Sequence, residues 1–268
     1  MTQSSTNLPL SGQIAVITGA GRGIGQAVAI KLSQLGAHTV LCGRSRPALE
    51  QTAAAIDTQD RTSRDSASGT PRTSVIECDV TDLHSVEALA RLVDRTFHRI
   101  DILVNNAGIS QLSFTATEDL PIEEWDKILA VNLRGTFLCC KHVGKQMIAS
   151  GGGSIVNISS TAGITGVVRA PAYCASKAGT ILLTKSLALE WARYHIRVNA
   201  IAPHYLETEL TKGLRASEKV YDGLARQIPL RRFAKPEEIV GTVLLLSSPA
   251  SSYITGSVNV VDGGYLAQ

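Results

Sequence analysis

Short apolar runs alternate with amphipathic stretches along nearly the whole chain, and this alternation is the tightest constraint on its fold. Residues 14–18, 38–42, 74–78, 102–105, 154–159, 196–201 and 258–261 are apolar and strand-length. Segments 23–35, 47–56, 83–97, 172–194 and 236–246 carry helical spacing, as does a long stretch within 122–149. The strand runs are continuous rather than period-two, the pattern of strands covered on both faces. A parallel strand–helix–strand unit closes with a right-handed crossover. The spacing therefore predicts an α/β fold, a doubly wound parallel seven-stranded sheet with helices on both faces.

With 268 residues, 44% of them hydrophobic, the chain has apolar material for one large core, and neither a linker nor a repeat divides it. A single domain over 1–268 is predicted, with 1–9 flexible. Residues 57–73 hold no aliphatic side chain larger than Ala and read as a polar surface insertion. Residues 204–230 follow the sixth strand and mix apolar and charged groups at helical spacing. They read as a substrate lid, because such sheets bind ligands beyond the carboxyl ends of their strands.

Lysines and arginines number 26 against 23 carboxylates, a net +3, too balanced for nucleic acid as main partner. No apolar run reaches the about 18 residues of a membrane span, and the first residues carry no secretory pattern. The five cysteines form no CxxC pair and the six histidines no cluster. The chain reads as cytoplasmic, with reduced thiols and no metal site.

The first strand runs into Thr18-Gly19-Ala20-Gly21-Arg22-Gly23-Ile24-Gly25. Glycines there allow a tight turn and a close backbone approach to a pyrophosphate, and the helix that follows aims free N–H groups at the anion. Lying between a strand and a helix, the cluster is a dinucleotide-binding signal of the Rossmann-like kind. The end of the second strand selects the dinucleotide: an acid there binds the ribose hydroxyls of NAD, a base accommodates the 2′-phosphate of NADP. The sequence is Cys42-Gly43-Arg44-Ser45-Arg46, without a carboxylate. Arg44, with Arg22 in the glycine turn, favours NADP(H) over NAD(H), because a guanidinium fork suits phosphate.

Three more motifs turn the pattern into a resemblance. Asn105-Asn106-Ala107-Gly108 follows the fourth strand, Ser159-Ser160 ends the fifth, and Tyr173-Cys174-Ala175-Ser176-Lys177 opens the next helix. With the glycine turn and Asp262-Gly263-Gly264, the chain resembles the short-chain dehydrogenase/reductase family from about Leu10 onward. Tyr173 and Lys177, four apart, share one helix face. A tyrosine of pKa about 10 exchanges protons poorly at neutral pH, and a nearby ammonium is expected to lower that value. The resemblance implies that Tyr173 passes a proton to and from the substrate oxygen, and that Lys177 also bonds the nicotinamide ribose. Ser159 and Ser160 point to opposite faces, and family spacing favours Ser160 as the donor to the substrate oxygen. Asn132 matches the asparagine that holds a water of the proton relay.

By the same resemblance Gly19, Arg22, Gly23, Ile24, Gly25, Arg44 and Ser45 hold the dinucleotide, Asp79 and Val80 lie around the adenine, and Asn105, Ala107 and Gly108 wall its ribose. Pro203 and Thr208 match the nicotinamide end. His204 stands where the family has glycine, so the conformation of that loop is open; it either shapes the pocket, touches substrate, or is a neutral local change. The implied activity is an NADPH-dependent ketoreductase acting on a small carbonyl compound or secondary alcohol. Alternatives are a 3-oxoacyl carrier-protein reductase, a sugar or sugar-acid dehydrogenase, and a non-catalytic NADP-binding sensor. Gly151, Gly152, Gly153 and Tyr194 stand where carrier-protein reductases carry arginines, so that docking patch looks weakened. Apolar residues on more than one face of 122–149 and 172–194 imply a homo-oligomer, a tetramer by resemblance, with Cys139 and Cys140 packing near the interface.

Overall fold

A computed structural model describes residues 8–63, 72–111 and 115–268. Its strands are β1 (Ile14–Thr18), β2 (His38–Gly43), β3 (Thr73–Glu77), β4 (Ile102–Asn105), β5 (Gly153–Ile158), β6 (Ile196–Pro203) and β7 (Val258–Val261). They form one sheet in the order β3-β2-β1-β4-β5-β6-β7, parallel throughout. The helices are α1 (Gly23–Gln34), α2 (Arg46–Ser63), α3 (Leu83–Phe97), α4 (Ile122–Leu129), α5 (Gly135–Ser150), α6 (Pro171–Trp191), α7 (Lys212–Arg215), α8 (Glu218–Ala225) and α9 (Glu237–Ser247).

The unbroken apolar strands are explained by two cores. Val16, Val40, Leu103, Ile155 and Val198 face one layer, which α3, α5 and α6 close with Val86, Leu89, Val143, Met147, Leu187 and Trp191. The alternate residues Ala15, Ile17, Leu41, Ile102, Val104 and Val156 face the other, closed by Val28 and Leu32 of α1, Leu49 of α2, and Ile239 and Val243 of α9. Successive side chains leave a strand on opposite sides, so a sheet covered twice needs apolar residues at both parities. Strand order reverses between β1 and β4. The crevice beyond their carboxyl ends is where such sheets bind ligands.

Three expectations about elements change. Residues 57–63 are not loop, because α2 continues to Ser63 and Thr58 Oγ1 donates back to the Ala54 carbonyl at 2.8 Å. That polar stretch has no glycine or proline before Gly69, so nothing in its sequence stops the helix at Ile56. The rest of the predicted insertion and the predicted flexible N-terminus lie largely outside the described residues. The single helix within 122–149 is broken by a π-helical turn, Ala130–Arg134. The helix predicted to Tyr194 ends at Trp191 in a 3-10 turn, Ala192–Tyr194, before His195 in the left-handed region at φ 59°. Cys139 and Cys140 face the sheet core rather than an outer surface, being 1% and 0% exposed. Among the described residues no helix is long and apolar enough to cross a membrane.

Candidate active site

A cavity of about 1080 Å³ opens over the carboxyl ends of the central strands. At one end lie Gly19, Arg22, Gly23 and Ile24, with Arg44 and Ser45 from the end of β2, and Asp79 and Val80 after β3. Gly19 and Gly23 have φ of 66° and 57°, left-handed angles that side chains resist. Gly25 does not line the cavity. It lies beneath the turn, where a Cβ would stand 2.5 Å from Asn106 Nδ2 and against the Gly19 carbonyl. The first turn of α1 carries no acidic residue, and Arg22 at its N-cap makes no side-chain cap. These uncapped N–H groups on a glycine turn fit a dinucleotide pyrophosphate.

Arg22 and Arg44 are exposed at this end. Arg46 is engaged elsewhere, its Nε donating to Glu77 Oε2 at 3.0 Å. Burial raises the pKa of the Asp79 carboxyl, but hydrogen bonds from the Thr81 backbone and hydroxyl, with the Arg44 charge, outweigh it and leave the pKa low.

Ala107 and Gly108 line the cavity, whereas Asn105 does not. The Asn105 amide is buried, donating to Asn157 Oδ1 at 2.8 Å and Cys140 Sγ at 3.2 Å. As the last residue of β4 its side chain goes into the layer under α5, the reverse of the expected ribose wall. The neighbouring Asn106 lines the cavity instead and donates to the carbonyls of Thr18 and Gly19 at 3.0 and 3.1 Å. Thr18 Oγ1 completes the tie by accepting from the N–H groups of Asn106 and Ala107, both at 3.0 Å.

Ser160, Tyr173, Lys177, Pro203 and Thr208 line the other end. The two serines separate as strand parity requires. Ser159 is buried, its hydroxyl donating to the Lys177 carbonyl at 2.9 Å. The Ser160 side chain faces the cavity and hydrogen-bonds Tyr173. Asn132 sits behind the wall in the π-helical turn, a device that re-aims a side chain within a helix. Its Oδ1 accepts from the Ile109 N–H, and its Nδ2 donates to the Ile109 carbonyl, both at 2.9 Å, and to Ser176 Oγ at 3.0 Å.

One electrostatic expectation reverses. Burial raises the Tyr173 pKa above the usual phenol value, and the Ser160 hydrogen bond only partly offsets it. Lys177 Nζ lies 5.7 Å from the Tyr173 ring centroid and donates to the Ile158 carbonyl at 2.9 Å. Burial lowers its own pKa to about 8.

His204 lines the cavity with ordinary backbone angles, so the family glycine is replaced without left-handed strain. It hydrogen-bonds Thr161 Oγ1 through Nδ1 at 2.8 Å and stacks on Tyr265 at 3.8 Å between centroids. From the segment 204–230, Tyr205, Leu206, Glu209, Leu210 and Leu214 contribute to the wall at this end. Sequence reasoning missed Asn106, although its motif was in view, and Gln111, for which no motif spoke.

Fold and cavity together define an oxidoreductase of the dinucleotide-binding class. A family model described as enoyl-(acyl carrier protein) reductase matches residues 19–266, and the chain belongs to the short-chain dehydrogenase/reductase family, whose members use a nicotinamide dinucleotide. It is 40% identical to an NAD-dependent glycerol dehydrogenase of Listeria innocua, over 96% of this chain and 94% of the relative. It is 39% identical to the 3-oxoacyl-acyl-carrier-protein reductase FabG of Thermotoga maritima, over 95% and 98%. The crystal structure of a gluconate 5-dehydrogenase from Burkholderia cenocepacia, in complex with NADP and tartrate, is similar at 32% identity and a TM-score of 0.89, covering 98% of each chain.

Proposed function

We propose that this protein is an NADPH-dependent ketoreductase of small carbonyl compounds, run in reverse as a secondary-alcohol dehydrogenase. The observation that carries the reading is the meeting of Ser160, Tyr173 and Lys177 at one cavity wall, braced by Asn132. Gly19, Arg22, Gly23 and Arg44 would hold the dinucleotide, whose nicotinamide would supply the hydride for the carbonyl carbon or accept it from the alcohol. Ser160 donates a hydrogen bond to the oxygen as negative charge grows there. Tyr173 transfers its phenolic proton to that oxygen, and Lys177, with Asn132 behind it, stabilises the phenolate left. With a raised pKa, Tyr173 holds its proton at neutral pH, the form carbonyl reduction needs.

The preference for NADP rests on Arg44 and Arg22 at the mouth and on the lack of a carboxylate at the end of β2. The relatives point both ways, since one is NAD-dependent and another binds NADP. Reduction of 3-oxoacyl carrier protein, or dehydrogenation of a sugar or sugar acid, is the second reading and is favoured by the names of relatives. A cytoplasmic homotetramer completes the proposal, in keeping with five free cysteines and exposed apolar side chains on α5 and α6.

The test is oxidation of NADPH and NADH at 340 nm over β-keto esters, an acyl thioester, keto sugar acids and hydroxy ketones. Turnover with NADPH that is lost in Tyr173→Phe, while NADPH binding persists, is the expected result. Tight NADPH binding without turnover of any carbonyl would instead revive the non-catalytic sensor.

A further inference from the structure

Two side chains that line the cavity carry buried polar atoms with no partner among the described residues. Gln111 is 1% exposed, and neither its carboxamide oxygen nor its nitrogen has a hydrogen-bond partner among the described residues. It lies two residues beyond Ile109, whose N–H and carbonyl hold Asn132. His204 lines the same cavity from the position directly after β6. Its Nδ1 is engaged by Thr161, the residue after Ser160, and its ring is packed between Tyr205 and Tyr265. Nε2 is thereby the ring nitrogen left over, and it is buried without a partner. Buried polar groups in native proteins are ordinarily paired, so orphans on a cavity wall point to a ligand that pairs them.

The charges around them say which ligand. Among the described residues the cavity wall carries four basic side chains, Arg22, Arg44, Lys177 and Lys212. Arg22 and Arg44 stand at the cofactor end. Lys177 is committed to the Ile158 carbonyl, and Lys212 pairs with Glu209 at 3.2 Å. Glu209 itself brings a negative charge to the mouth. His204 adds none, because burial lowers its pKa to about 4 and leaves it neutral at physiological pH. A carboxylate or phosphate on the substrate would find, among the described residues of this end, only cations that already have a partner. A hydroxyl, both donor and acceptor, matches a carboxamide and a neutral imidazole.

We infer that Gln111 and His204 are specificity residues that recognise a second, uncharged oxygen of the substrate, and that the substrate is a neutral hydroxy ketone or its polyol. The inference rests on the reductase reading and selects within it, against the sugar-acid and carrier-protein alternatives.

The test compares hydroxyacetone with 2-butanone, which are nearly isosteric, and with pyruvate as the anion, in wild type, Gln111→Met and His204→Phe. NADPH affinity, read by fluorescence, verifies that each variant is folded. The wild type should favour hydroxyacetone over 2-butanone by at least tenfold in kcat/KM, and disfavour pyruvate. Each variant should cut the hydroxyl preference by about tenfold, mostly through KM, the scale of one lost hydrogen bond to a substrate hydroxyl. A wild type that prefers pyruvate or 2-butanone, or variants that keep the full preference, would overturn the inference. A second arm needs no turnover: calorimetric binding of 1,2-propanediol against 2-butanol to the NADP-loaded protein. Diol-selective binding that Gln111→Met weakens, without turnover of any carbonyl, would sink the reductase reading and leave the recognition site standing. Turnover without discrimination in either arm would do the reverse.

Discussion

Arg44 and His204 show how much one side chain decides in this site. Arg44 is exposed at the end of β2, where a 2′-phosphate would lie, and its neighbour Arg46 is tied to Glu77. Arg44→Asp should therefore exchange a phosphate partner for a ribose-hydroxyl acceptor. The ratio of kcat/KM for NADPH to that for NADH should fall at least tenfold, read from initial rates with both cofactors. His204 gives a pH signature. Its pKa is about 4 in the folded protein, because burial lowers it and Asp262 only partly restores it, against about 6.5 when exposed. The unfolded chain therefore binds the extra proton between those values. The stability that a neutral His204 contributes is present above pH 6.5 and lost as pH falls through 4. In thermal melts from pH 7 to 4, His204→Phe should lose less stability than wild type, by on the order of 2 kcal/mol. Equal losses would show that His204 does not titrate with unfolding.

At the scale of elements, the turn between β1 and α1 depends on space as much as on angle. Gly25 abuts the Gly19 carbonyl and Asn106 Nδ2, so a methyl group there pushes α1 off the turn. Gly25→Ala should cost about 1–3 kcal/mol of stability and weaken NADPH binding at least tenfold, measured by thermal melts and fluorescence titration. Unchanged affinity would mean that the turn tolerates the shift. Most element boundaries were legible in the sequence. Strands 14–18, 102–105 and 258–261 and helix 83–97 fall where the apolar pattern placed them. The π-helical turn at Ala130–Arg134 was not legible, because one extra residue in a helical turn leaves the apolar spacing almost unchanged. The seven helical residues beyond Ile56 were missed for the opposite reason: they have no apolar face to announce them.

The whole molecule carries apolar surface that a single chain leaves uncovered. Phe137 on α5 is 43% exposed, and Leu182 and Leu189 on α6 are 65% and 85% exposed. Leu129, Leu133, Phe137 and Leu183 line a second, shallow apolar hollow between these helices. Exposed patches of this kind mark association faces. Light scattering should give a mass near four times the 28.4 kDa chain, and Phe137→Glu with Leu182→Glu should release smaller species at unchanged helix content. A monodisperse 28.4 kDa wild type would refute the assembly.

The sequence by itself determined the order of the elements, the sheet class and the positions of the glycine turn, Ser160, Tyr173 and Lys177. Each of these is written in local spacing, which short-range geometry turns directly into structure. Only the tertiary structure decided that Asn105 packs against Asn157 while Asn106 holds the glycine turn. It also decided that burial outweighs the Ser160 hydrogen bond at Tyr173, and that Gln111 and His204 line one cavity. These outcomes join residues dozens of positions apart, and they depend on desolvation and on which face of a packed layer each side chain enters, which local spacing does not encode.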